Sequence, residues 1–295
     1  MKIKTVKLYK EDFIPEGISS NDVTTRRYLH SVTEYDKDGK VLKEESYSHD
    51  GSLEDKVENK YDEEGRLIEY INTIQGEVAD HKSWEYDGDK IAKEYIHYVD
   101  GSKDQINYNY DSQVRLLSKE TFDEDGELEQ KVVYEYSGNS VKEITMDSDG
   151  ETTEEVYSEF DGDKTLLRSE KDNFTGEGFS IKNDYDNKGR VTQTVRYDES
   201  DNMVEKVERE YDDNDKVVKL KETGPVKNSE VYFEYDNNGN PVRQEEKLED
   251  GTQLSLIERE YDKNNLHIRS SVFLNGLGER MSQNYNVFHE YEFFE

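Results

Sequence analysis

The sequence predicts an all-β protein, an antiparallel meander of about 20 strands in hairpin repeats of ~25 residues, wound into a curled or spiralling elongated sheet. Three observations carry this reading. An aromatic residue returns at Tyr35, Tyr61, Tyr86, Tyr110, Tyr136, Phe160, Tyr185, Tyr211, Tyr235, Tyr261 and Tyr285, in ten intervals of 24, 25 or 26 residues. Each ring closes an alternating run, such as Val207-Arg209-Tyr211 interleaved with Glu208 and Glu210, which is the period of a half-exposed strand. A turn signal of the form Asp-x-x-Gly then follows, as at Asp36 to Gly39, Asp62 to Gly65, Asp186 to Gly189 and Asp236 to Gly239.

Residues 1–27, with Phe13, Ile14 and Pro15, fall outside the period and read as an N-terminal cap. Residues 28–285 form the repeat array as a single domain. In each unit the first strand ends at the aromatic residue. Asp closes the turn with its side chain and Gly takes up a positive φ. A return strand such as Val191-Gln193-Val195-Tyr197 comes next, and a second turn ends it, as at Asp50-Gly51, Asp100-Gly101, Asp125-Gly126, Asp149-Gly150 and Asp250-Gly251. Lys171 to Gly178 and Thr223 to Asn228, the latter with Pro225, lack the regular second turn and mark bends. Residues 286–295 read as an aromatic C-terminal cap or tail. Strand twist accumulates across a long sheet, which is why curling is expected. Only one strand face carries enough apolar area to bury, so the aromatic face has to roll onto itself, pair with a copy or meet a partner.

The chain is 31% hydrophobic and 37% charged, with a net charge of -32 from 39 basic and 71 acidic residues. That balance alone approaches disorder, but 22 Tyr and 10 Phe at fixed spacing argue for a fold. The acidic surplus is spread along the repeats, which argues against nucleic acid and anionic membrane and leaves a basic protein, a cation or a neutral glycan. There is no cysteine, so disulfides and thiolate metal sites are excluded. No apolar run reads as a signal peptide or membrane span, which makes the cytoplasm the default expectation, with export by a dedicated secretion system leaving the same trace.

Candidate sites are few. Asp36-Asp38-Gly39, Asp123-Asp125-Gly126 and Asp147-Asp149-Gly150 resemble the start of a calcium loop but lack the Glu at the twelfth position and the flanking helices. They read as hairpin turns, with weak calcium binding along an acidic edge as the alternative. His30, His49, His81, His97, His267 and His289 are scattered and form no zinc motif. Gly276-Leu277-Gly278 is too short for a dinucleotide fingerprint, and neither a nucleophile elbow nor a P-loop occurs. No catalytic residue, cofactor or metal is therefore expected. Trp84, the only tryptophan, lies two residues before Tyr86; with Tyr108 and Tyr110 it forms a candidate platform for a sugar ring or a hydrophobic peptide, set against core packing as the plainer role.

The units Tyr61-Asp-Glu-Glu-Gly-Arg-Leu67, Tyr185-Asp-Asn-Lys-Gly-Arg-Val191, Tyr35-Asp-Lys-Asp-Gly-Lys-Val41 and Tyr110-Asp-Ser-Gln-Val-Arg-Leu116 resemble the YD, or RHS, repeat. The resemblance implies a β-sheet wound into a shell, a bacterial origin, and a role at cell surfaces, in toxin packaging or in carbohydrate or protein contact. It covers roughly residues 28 to 285. The chain departs from the toxins of that family in its small size and strong acidity and has no recognisable C-terminal toxin domain, so an open or partial spiral is expected. The functional expectation is a noncatalytic binding or scaffold protein acting on a protein or glycan. The alternatives are an acidic immunity or antitoxin-like protein neutralising a basic toxin and a carbohydrate-active enzyme on the repeat scaffold.

Overall fold

Most repeats are built around the same turn. In the computed structural model, which describes residues 2–15, 23–276 and 282–295, Asp36 N–H donates to the Lys40 carbonyl at 2.9 Å and Gly39 N–H to the Asp36 carbonyl at 3.2 Å. The Asp36 carboxylate accepts the N–H groups of Asp38 and Lys40 at 2.8 and 2.9 Å. Gly39 has φ +86°. This is a type I turn closed by a left-handed residue, a geometry that inserts a bulge into the hairpin. The register shows the bulge, since Tyr35 pairs with Val41 while Glu34 pairs with Lys43. The same capping recurs at Asp62, Asp186 and Asp236. A second turn type needs two consecutive left-handed residues, which Gln75 (φ 51°) and Gly76 (φ 87°) supply between two strands.

Among the described residues the strands number 22 and run in chain order as one antiparallel sheet. The first, β1 (Ile3–Pro15), pairs with β2 (Val23–Tyr35) on one side and with the last, β22 (Gln283–Phe293), on the other. The sheet therefore has the connectivity of a closed β-barrel, and the open curled or spiralling sheet expected from the sequence is corrected. The physical reason lies in residues 5–12, which pair with β2 on one side and β22 on the other, so the meander is left without the two unpaired edges that an open sheet carries. The N-terminal residues read as a cap thus form β1 and the first part of β2, and residues 286–293 belong to β22.

The chain divides into two units, Met1–His81 with Ser229–Glu295, and Lys82–Asn228. In the first unit, β4 (Leu53–Tyr61) sets Val57, Asn59 and Tyr61 on one face and Glu54, Lys56, Glu58 and Lys60 on the other. In the second, the few buried apolar side chains are Tyr95, Val132, Val156 and Val195 at strand centres. Only Val272 joins them in the first unit among the described residues. A layer so thinly buried needs contacts between strands beyond the hydrophobic effect.

Those contacts come from the periodic tyrosines. The hydroxyls of Tyr61, Tyr110, Tyr136, Tyr185, Tyr211 and Tyr261 donate to the carbonyls of Val41, Ile91, Leu116, Thr165, Val191 and Pro241, at 2.7 to 3.2 Å. Each acceptor is the first or second residue of the return strand of the repeat before. Where the residue preceding that acceptor is cationic, its charge lies over the same ring: Lys40 over Tyr61, Lys90 over Tyr110, Arg115 over Tyr136, Lys164 over Tyr185 and Arg190 over Tyr211, at 4.4 to 5.5 Å. The turn aspartate completes the unit, with Asp62, Asp111 and Asp186 each accepting Nε–H of the arginine four residues on at 2.7 Å. The period of about 25 residues is thus the spacing at which one repeat fastens to the next.

Candidate functional site

A row of half-buried titratable groups of the second unit lies along one face of consecutive strands: β7 (Lys90–His97), β8 (Lys103–Tyr110), β9 (Leu116–Phe122), β10 (Leu128–Ser137), β11 (Ser140–Asp147), β12 (Thr152–Asp161) and β13 (Lys164–Asp172). Tyr108 donates to Glu94 Oε2 at 2.6 Å. Burial, and then this bond, hold the Tyr108 hydroxyl protonated far above the ordinary phenol range. Lys119, opposite Tyr108 in the register, sits 5.9 Å from its ring centre and 5.7 Å from that of Tyr134. Burial opposes the Lys119 charge, but Tyr134, Glu143 and Glu94 outweigh it and raise its pKa.

Beyond Glu143 the row becomes mainly acidic, with Arg168 as a cation 3.6 Å from Glu170. Glu154 on β12 pairs with Asp172, and Glu170 stands two residues along on the same face of β13. The Glu154 pKa is raised, first by burial and then by Glu170, Glu143 and Asp172, which crowd negative charge around it. These carboxylates border an open groove of about 590 Å³ that β14 (Gly178–Tyr185), β15 (Val191–Asp198) and β16 (Met203–Tyr211) complete with Phe179, Arg196, Tyr197 and Val204, together with Glu199 of the turn after β15. The Arg196 guanidinium lies 4.6 Å from the centre of the Phe179 ring. Gly178 is required at the groove floor because a Cβ there would stand 2.4 Å from the Glu170 carbonyl oxygen. Phe174, at the neighbouring turn, is 80% exposed. The arrangement suits a cation that can stack on an aromatic face while carboxylates surround it. A second open groove, along Gly101–Lys103 and Phe122–Gly126, already contains a cation, Lys103, 4.1 Å from the Tyr95 ring centre.

The proposed platform is partly assembled. Trp84 pairs with Glu94, and Tyr86 pairs with Ile91. Tyr108 and Tyr110 extend the same face from β8, yet their hydroxyls are committed to Glu94 and to the Ile91 carbonyl, and Lys119 and Lys90 cover their rings. All four side chains are half-buried. Of the periodic aromatics, Tyr35, Phe160 and Tyr235 also sit at the ends of strands opposite the return strand. Tyr285 instead lies near the start of β22, opposite Asp12 and Val272, and the hydroxyl that reaches back from this strand is that of Tyr291, 2.7 Å from the His267 carbonyl oxygen. Leu277 and Gly278 of the Gly-Leu-Gly segment lie outside the described residues.

The Asp-Gly turns keep their carboxylates on their own backbone, as Asp123 and Asp147 do. Among the described residues no group of three or more His, Asp or Glu side chains is placed to hold a metal ion. No helix of the described residues is long and apolar enough to cross a membrane. Sequence reading missed the groove, because Glu154, Glu170, Phe179 and Tyr197 belong to three repeats and only pairing brings them together. The irregular segment Lys171 to Gly178 was the one signal pointing there.

A family model described only as an uncharacterised protein matches residues 4–108. It is not an RHS or YD model, so that resemblance, and the repeat-family label drawn from it, are corrected. The shared Tyr-Asp, Gly and Arg positions are accounted for by the local turn capping and ring stacking described above. No curated protein matches the chain. Solved structures similar to it include a porin-like protein from Bacteroides uniformis, 10% identical, with 98% of this chain and 96% of that one covered and a TM-score of 0.32. Another porin-like protein, from Bacteroides vulgatus, is 11% identical with 99% of both chains covered and a TM-score of 0.26. A crystal structure of TcdB2-TccC3-Cdc42 is 11% identical over 88% of this chain but only 19% of that one, with a TM-score of 0.28.

Proposed function

We propose that the chain is a noncatalytic binding protein that takes a basic segment of a partner protein into the acidic groove between β12 and β16. The observation that supports this most is Arg196, whose guanidinium rests on Phe179 within a border of Glu154, Glu170, Asp172 and Glu199. The groove thus displays, with a side chain of its own, the chemistry by which it would hold an arginine from elsewhere. A net charge of -32 adds long-range attraction for such a partner. A basic toxin held by an acidic immunity protein is one case within this class. The cytoplasm, expected from the sequence, is the compartment proposed for the encounter.

The test is calorimetric titration of the full chain with an arginine-rich peptide and with an uncharged peptide of the same length. The basic peptide should bind, about tenfold or more weaker when salt rises from roughly 0.05 to 0.3 M, and Glu154→Gln with Glu170→Gln should weaken it further. Binding that is indifferent to both carboxylates would remove the groove from the account. Equal affinity for the uncharged peptide would remove the charge argument.

A further inference from the structure

In the first unit, two histidines meet where the sheet closes. His267 opens β21 (His267–Leu274) and His289 lies in β22, the strand that pairs with β1. Their ring centroids are 4.4 Å apart and tilted by 39°. Tyr261, at the end of β20 (Gln253–Tyr261), flanks His267 at 5.3 Å, and Tyr291 stacks beside His289 at 6.4 Å. Nε2 of His267 lies 3.0 Å from the Arg269 carbonyl oxygen and 2.8 Å from Ser270 Oγ. Nδ1 of His289 is buried without a hydrogen-bond partner. We propose that the His267–His289 pair is an acid-sensitive latch, whose protonation loosens the β22 pairing that closes the sheet.

The surroundings are built for neutral rings. From β20 come the Tyr261 phenol and Arg259, whose charge opposes protonation of His267 and whose Nη1 is buried without a partner. From β22 comes Tyr291, itself influenced by Asp262, by Tyr35 of β2 and by Tyr261. From β1, Leu8 stands opposite His289 and brings no charge. Burial, and then the neighbouring His267, lower the His289 pKa from 6.5 to about 4. Burial likewise lowers that of His267. A proton taken up here meets a second imidazole and a cationic guanidinium, and separating β22 from β21 and β1 is the motion that relieves it. Because the folded value lies below the unfolded one, closure is fully favoured above about pH 6.5 and is progressively lost as pH falls toward about 4.

The experiment is amide hydrogen exchange of the full chain at about pH 7.5 and about pH 5, corrected for intrinsic rates, comparing peptides of β1 and β22 with peptides of β10 and β11. For one histidine moving from an opened-state 6.5 to a closed-state value of about 4, opening at the lower pH should rise on the order of 30-fold. His289→Phe, which keeps a ring and cannot take a proton, should hold the change in β1 and β22 to that of β10 and β11. His289→Gln serves as the second nontitrating variant should the larger ring fail to pack. Equal acid loss in the wild-type β22 and β10 peptides would overturn the proposal, as would a nontitrating variant that opens as readily as wild type.

Discussion

The Tyr211 hydroxyl donates to the Val191 carbonyl at 2.7 Å, and the side chain of Arg190, the residue just before that carbonyl, lies 4.4 Å above the same ring. One aromatic side chain therefore receives a hydrogen bond's geometry and a cation's attraction from one short segment of the preceding repeat. Tyr211→Phe removes only the hydrogen bond and should lower stability by about 1 kcal/mol. Tyr211→Leu also removes the ring and should cost about 2 kcal/mol or more. The midpoints of urea unfolding give both values, and equal costs would show that the ring contributes nothing beyond its hydroxyl.

Val114 should respond in the opposite direction. It occupies the turn position that glycine fills in other repeats, with φ 67° and 59% of its surface exposed. A β-branched residue is strained in that region, and Val114→Gly should stabilise the protein by about 1 kcal/mol after glycine's own entropy is set against the relief. A midpoint that fails to rise would place the strain elsewhere.

The turn aspartates predict a dependence on acid. The carboxyl of Asp186 is held below its ordinary value of 3.8, first by the Arg190 backbone N–H and also by the Arg190 side chain. Its contribution is present above that value and is lost as pH falls through the lower folded one. Asp186→Asn keeps an acceptor for the turn and should be milder than Asp186→Ala, and both should flatten the loss of stability below about pH 4. Unfolding midpoints across that pH range are the measurement.

The groove predicts a separate titration. With its pKa raised above 4.5, Glu154 still carries a proton where an ordinary glutamate has lost it. Affinity for a basic peptide should therefore increase as pH rises above about 4.5, and Glu154→Gln should reduce that increase. Gly178→Ala, which drives a methyl group against the Glu170 backbone, should weaken the same binding and lower stability by about 1–3 kcal/mol.

The hairpins were legible because their causes are local. Alternation along β4, the Asp36 turn and the positive φ of Gly39 each depend on a few neighbouring residues. Closure was not legible, because the pairing of Leu8 with His289 joins residues at opposite ends of the chain and no periodicity spans them. The role of the tyrosines was visible only in part. A spacing of about 25 showed that the rings recur, but the target of each hydroxyl is a backbone carbonyl, which every residue possesses and which leaves no mark in sequence. Arg196 could be placed on Phe179 only once β14 and β15 were in register.

Phe294 N–H donates to the Lys2 carbonyl at 3.0 Å, so residues 2 and 294 lie side by side just beyond β1 and β22. Circular permutation follows from this. A short linker from residue 294 to residue 2, with the chain opened at the exposed Gly138-Asn139 turn, would leave each strand beside its present neighbours. The order in which the ribosome delivers the hairpins would change, while the finished set of pairings would not.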